Sequence, residues 1–170
     1  MDYHEMRRPF EPTTVKLVLL AESPPAPNKR GESKYFYNPT GSARESLFEA
    51  TMKALGIDCG GDKEKGLHEL RRRGVLLLDM SYIPVNKLPK NDRNKALERG
   101  YDQLIEKLSK LPAGIPVAIV VQSVYERVSY RLQKNGFNVI DRMIPFPAFK
   151  KERIDKFCSE LKRIAAEYNI

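Results

Sequence analysis

The sequence predicts an α/β fold, a three-layer α/β/α sandwich around a central four-stranded parallel sheet. Four short apolar runs, residues 15–21, 75–80, 117–121 and 138–143, alternate with segments of helical spacing. The first three are continuous rather than alternating, as strands buried on both faces are. The connections between runs are long enough for the crossovers that parallel strands require. A chain of 170 residues is the size of one domain and can bury a core without disulfides or metals. A single domain over 1–170 is expected, with residues 1–12 as an extended N-terminal tail.

The helices between these strands carry their own punctuation. Ser42-Ala43-Arg44-Glu45 reads as a capping box that opens an amphipathic helix through Leu47, Phe48, Met52 and Leu55, which Gly56 closes. Asp62 caps a second helix ending at Arg73. A third starts near Asn91 or Asp92, places Ala96, Leu97, Tyr101, Leu104, Ile105 and Leu108 on one face, and stops at Pro112. Ser123-Val124-Tyr125-Glu126 reads as another capping box, for a helix that Gly136 ends. The last helix runs from about Lys151 to Tyr168.

Composition narrows the function. Hydrophobic and charged fractions of 41% and 31% are those of an ordinary globule, which excludes wholesale disorder, collagen-like repeats and coiled coils. Thirty Lys+Arg against 22 Asp+Glu give a net charge of +8, which favours a polyanionic partner such as nucleic acid. Cys59 and Cys158 stand alone, far from any Cys-x-x-Cys or Cys/His spacing, so neither a disulfide framework nor a zinc site is indicated. With only His4 and His68, a histidine-rich metal centre is excluded as well. No metal or cofactor is expected. No apolar run approaches the roughly 20 residues of a membrane span, and the charged N-terminus is unlike a signal peptide. A cytoplasmic or nucleoid-associated protein is expected, without membrane attachment; the sequence leaves the oligomeric state open, with a monomer favoured.

Ligands of open α/β sheets bind beyond the carboxyl ends of the strands. That edge should hold the loops after Ala21, Met80, Val121 and Met143. The only long irregular stretch, residues 23–41, is the first of these loops, and such loops are usually functional or disordered. Glu22 and Asp79 end the first two strands, so pairing of those strands brings two carboxylates to one cleft. The basic residues Lys29, Arg30, Lys34, Lys87, Lys90, Arg93, Lys150 and Lys151 follow strands one, two and four, and together suit a phosphate-backbone track. Ser123 begins a helix whose free N–H groups face the same edge. Tyr35, Phe36, Tyr37 and Tyr82 suit base stacking there, and equally suit packing of the loop onto the core.

These residues resemble the uracil-DNA glycosylase superfamily over about residues 15–157. The segment Gly74-Val75-Leu76-Leu77-Leu78-Asp79-Met80-Ser81-Tyr82-Ile83-Pro84-Val85 is similar to the family's strand ending in an asparagine that reads the uracil edge, with Asp79 in the asparagine's place. Glu98 to Leu104 resembles the following helix, and Val117 to Gln122 the third strand. Glu22-Ser23-Pro24 resembles the first motif, and the loop through Phe36, Tyr37, Asn38, Pro39 and Gly41 the family's base-stacking loop. The resemblance implies the family's fold, catalytic roles for Glu22 and Ser23, and a base against Asp79, Phe36, Tyr37 and Asn38.

The departures are chemical. The family's fourth motif is typically His-Pro-Ser-Pro, whereas this chain has Ile144-Pro145-Phe146-Pro147, followed by Ala148 and Phe149. The family's histidine stabilises charge on the departing base, a contact worth about 3–4 kcal/mol. Neither His4 nor His68 is placed to replace it. Ser23 stands where many members carry the water-orienting acid, which leaves Glu22 for that role. An ionised aspartate accepts hydrogen bonds only, so Asp79 favours an amino-bearing base edge over uracil unless burial protonates it. Two cysteines cannot hold the iron–sulfur cluster of some branches. The expected function is nucleic-acid binding with hydrolysis of the N-glycosidic bond of a damaged or deaminated base. The alternative is a non-catalytic nucleic-acid or nucleotide-binding module of the same fold.

Overall fold

The structure, a computed structural model, describes residues 2–148 and 150–170. Phe149, the end of the fourth-motif segment, lies outside the described residues. Three strands, β1 (Leu17–Ala21), β2 (Val75–Asp79) and β3 (Val117–Ile119), form an open parallel sheet in the order β2-β1-β3. All three are buried along their whole length, which is why their sequences are uninterrupted apolar runs rather than alternating ones.

Side chains alternate across the sheet. Leu17, Leu19 and Ala21 pack with Val75 and Leu77 against α2 (Ser46–Leu55), α3 (Lys63–Arg73) and α6 (Lys151–Glu167). Val18, Leu20, Leu76 and Leu78 face α4 (Lys90–Ser109) and α5 (Gln122–Lys134) on the other side. Helices therefore cover both faces of the sheet. The helix α4 approaches closely because Gly100 has no side chain; a Cβ there would lie 2.0 Å from the Met80 carbonyl oxygen.

The fourth predicted strand is reduced to one parallel bridge, Val117 to Val139. Beyond it, Arg142 N–H turns back onto the Ile140 carbonyl, and the segment bulges from β3 until Ile144 N–H meets the Ile119 carbonyl at 3.4 Å, so no continuous ladder forms. The N-terminal segment also differs from the extended tail expected. Residues Tyr3–Arg7 form a short helix, α1, continued by a 3-10 turn over Arg8–Phe10. Asp2 caps it through its side chain, and Tyr3, Arg7 and Phe10 are buried.

Helix boundaries separate true caps from apparent ones. Asp62 accepts from Lys65 N–H at 3.1 Å, and Gly56 closes α2 in the left-handed conformation, both as the sequence predicts. Ser42 and Ser123 do not cap. The helix α2 starts four residues past Ser42, at Ser46, and Glu45 turns away to a buried lysine. The helix α5 starts one residue before Ser123, whose hydroxyl is directed to Glu22 instead.

Candidate functional site

Register builds the site. The pairing Leu17↔Val75 runs in step to Ala21↔Asp79, so Glu22, one residue past β1, leaves the sheet beside Asp79. The loop after β1, with shares from β2, α2 and the Asn86–Lys87 turn, encloses a cleft of about 1360 Å³. Glu22, Ser23, Asp79, Phe36, Asn38, Lys34 and Lys87 all line it, as does Phe146 from the Pro145–Pro147 turn. The sequence-predicted edge of the sheet is thus one concave surface.

Glu22 is held rather than free. Arg93 of α4 and the Ser123 hydroxyl both donate to its Oε1, the latter at 3.0 Å, while its side chain is mostly covered. Among the described residues no hydrogen bond reaches Oε2. The Ser123 hydroxyl and one nitrogen of the Arg93 guanidinium are therefore both directed to the carboxylate. Ser23 accepts from Val85 N–H at 3.2 Å and donates to the Pro24 carbonyl. It ties the loop after β1 to the loop after β2.

Asp79 lies at the floor. It is 4% exposed, and its Oδ2 has no hydrogen-bond partner among the described residues. Burial pushes its carboxyl up to about 7, against the pull of Arg7 and Lys107. At neutral pH it divides between a carboxylate, which only accepts, and an acid, which also donates. Tyr35 is 1% exposed and lines the same cleft, and its hydroxyl is likewise unpartnered. Burial and then the charge of Asp79 raise that phenol above its ordinary range, so it stays a donor. An unsatisfied buried group of this kind costs about 1–3 kcal/mol.

Behind the floor is a cationic cluster that the sequence did not reveal. Arg7 donates to the Tyr82 hydroxyl and pairs with Glu11 at 2.6 Å. Lys107 places its ammonium 3.8 Å from the centre of the Tyr82 ring, and His4 stacks on that ring at 4.1 Å. Tyr82 is thereby occupied and is no stacking platform. Burial, and then Arg7, lower Lys107 to about 8.

The aromatic loop divides between core and cleft. Tyr37 is a strut of the core, 1% exposed, its hydroxyl accepting from Leu77 N–H at 2.8 Å and donating to the Leu77 carbonyl at 3.3 Å. It does not line the cleft, and the stacking role expected of it is withdrawn. Phe36 does reach the cleft, edge-on to Phe48 and Tyr37. Asn38 spends its side chain on the loop itself, donating to the Ser33 carbonyl and accepting from Thr40. Phe146 is 36% exposed and lines the cleft. Ile144 is fully buried.

The basic residues divide. Lys34 and Lys87 line the cleft, joined by Arg44, which the sequence reading passed over. Lys87 donates to the Pro27 carbonyl at 3.2 Å. Lys29, Arg30, Lys90, Lys150 and Lys151 are exposed outside it. The lining also carries Glu32 and Glu45, the second neutralised by Lys63. His4 and His68 lie elsewhere, against Tyr82 and Phe10.

Among the described residues there is no group of His, Cys, Asp and Glu suited to a metal, and no helix long and apolar enough to cross a membrane. No protein-family model and no curated protein sequence matches the chain.

Proposed function

We propose that this chain is a divergent uracil-DNA glycosylase-like protein that binds nucleic acid and hydrolyses the N-glycosidic bond of a damaged or deaminated base. The observation that carries the reading is that Glu22 and Asp79 leave paired strands side by side into one cleft, which Phe146 and Lys34 also line. In this reading the fold is a divergent form of that family's sandwich, with Val139 marking the fourth strand's place. The base enters against Asp79 between Phe36 and Phe146, and the lysines hold the phosphates on either side.

Glu22 acts on water. Its Oε1 is fixed by Arg93 and Ser123, and Oε2 takes a proton from a water that attacks the sugar carbon as the bond to the base breaks. The base departs with the bonding electrons and takes up a proton, so water is divided between sugar and base. Stabilisation of the departing base falls to groups other than a histidine.

A panel of oligonucleotides carrying normal and damaged bases tests this, with alkaline scission as the readout. Scission at one or more bases, abolished by Glu22→Gln, is expected. Absence of scission with every base removes the catalysis, and absence of salt-dependent binding removes the nucleic-acid partner. The buried Ile144 and the ion pair on Glu22 favour a second reading, a non-catalytic module that binds nucleic acid or nucleotide in the same cleft. In that case oligonucleotide affinity survives Glu22→Gln without any scission by the wild type.

A further inference from the structure

Few buried side-chain atoms in the described residues lack a hydrogen-bond partner, and they are not equivalent. The unpartnered nitrogens of Arg127 and Arg142 belong to guanidinium groups anchored through their other nitrogens. The Lys107 ammonium rests on the Tyr82 ring. Only the Tyr35 hydroxyl and Asp79 Oδ2 are without such compensation, and both residues line the same cleft.

They arrive there by separate routes. Asp79 ends β2, facing the same side of the sheet as Val75 and Leu77. Tyr35 comes from the loop after β1, its ring edge-on to Tyr3 at 4.9 Å and its carbonyl held by buried Lys63 at 2.9 Å. The Tyr3 hydroxyl in turn donates to the Pro25 carbonyl at 3.0 Å. Edge-on contacts with Tyr3 and Tyr37 and the hold on its carbonyl therefore fix the Tyr35 ring, while its hydroxyl is left unsatisfied. Buried polar groups in native proteins are nearly always paired, so two unpaired ones at one cleft stand out as groups with hydrogen-bonding capacity to spare.

We infer that Tyr35 and Asp79 form a two-point recognition floor for a nucleobase edge in which an N–H donor stands beside a carbonyl or ring-nitrogen acceptor. The Asp79 carboxylate takes the N–H and the Tyr35 hydroxyl donates to the neighbouring acceptor. Tyr35 supplies the donor that an ionised aspartate lacks, so the pair offers the complement that a single amide would. Pyrimidines meet the requirement: uracil through N3–H and O4, cytosine through its amino group and N3. This inference rests on the proposal that the cleft takes a nucleobase.

The test is binding of free 2′-deoxyuridine and 2′-deoxycytidine, followed by isothermal titration with wild type and Tyr35→Phe, with N3-methyl-2′-deoxyuridine as the ligand-side control. Removing the hydroxyl should weaken binding about tenfold. The melting temperature should stay level or rise, because Tyr35→Phe deletes an unsatisfied group. N3-methylation, which blocks the contact to Asp79, should abolish binding to the wild type without any change in the protein. If the wild type binds a nucleoside and Tyr35→Phe binds it equally, or if N3-methylation is tolerated, the two-point floor is wrong while the base-binding cleft stands. A marked fall in melting temperature for Tyr35→Phe overturns the inference too, since it shows the hydroxyl to be structurally engaged. No binding of either nucleoside, or of oligonucleotides containing them, overturns both proposals.

Discussion

The Lys63 ammonium, wholly buried at the start of α3, donates to Glu45 Oε2 at 2.6 Å and ties α3 to the segment before α2, which lines the cleft. A second bond, to the Tyr35 carbonyl at 2.9 Å, draws the aromatic loop to the same point. Burial lowers the lysine's affinity for its proton, and Glu45 opposes that. Removing one partner of such a pair leaves an uncompensated charge and typically costs about 3–5 kcal/mol, whereas replacing both by apolar groups is often neutral. Lys63→Met should therefore lower stability in urea by about that amount, and Lys63→Met with Glu45→Leu should recover much of it. A single variant as stable as the wild type would show that the pair holds nothing in place.

That pair also shows what was and was not legible in the sequence. The buried strands announced themselves because an unbroken run such as Val75-Leu76-Leu77-Leu78 suits burial on both sheet faces. From the strands followed the sheet edge, and from the edge Glu22 and Asp79. Asp62 was legible as a cap because its partner is three residues away. Glu45 was not, because the capping-box pattern it completes is local while its real partner, Lys63, is 18 residues distant. The N-terminal helix was missed for the same reason: a five-residue segment has no periodicity to detect, and it is held by Tyr82 and Pro25 from far along the chain. Aromatic residues in a loop give no sign of direction, so Tyr37 and Phe36 looked alike although one is a strut under β2 and the other faces the cleft.

Asp79 makes stability depend on pH in a defined sense. Its carboxyl titrates near 7 in the folded protein, against 3.8 as its ordinary value. The folded chain thus binds this proton more tightly than the unfolded chain. Its contribution is fully present below about pH 4 and is lost as pH rises through about 7, an effect of order 4 kcal/mol at most. Asp79→Asn removes the ionisation while keeping the side chain's size. Denaturation between pH 4 and 8 should show a flatter stability profile in the variant, which should exceed the wild type at pH 8. Parallel profiles for the two proteins would exclude Asp79 as the titrating group.

Arg7 reaches the cleft only through electrostatics. Its charge lowers both Asp79 and Lys107, and its side chain is anchored by Tyr82 and Glu11. Arg7→Met should therefore move both titrations upward, Asp79 above about 7 and Lys107 above about 8. Carboxyl and lysine side-chain NMR titrations read the two groups separately. Unchanged Asp79 with a shifted Lys107 would mean that α1 acts on Tyr82 and not on the cleft floor.

The cations around the cleft should not contribute alike to nucleic-acid binding. Lys34, Arg44 and Lys87 line the cleft, whereas Arg93 is engaged with Glu22. Each phosphate contact on duplex DNA contributes about 0.9 to the slope of log affinity against log salt. Lys34→Ala and Lys87→Ala should each weaken oligonucleotide binding and flatten that slope by roughly one unit or less. Arg93→Ala should leave the slope in place, because its charge is directed to a carboxylate rather than a phosphate. Fluorescence anisotropy from low to moderate salt distinguishes these cases. A slope reduced by Arg93→Ala and untouched by Lys34→Ala would relocate the phosphate track from the cleft to the face of α4.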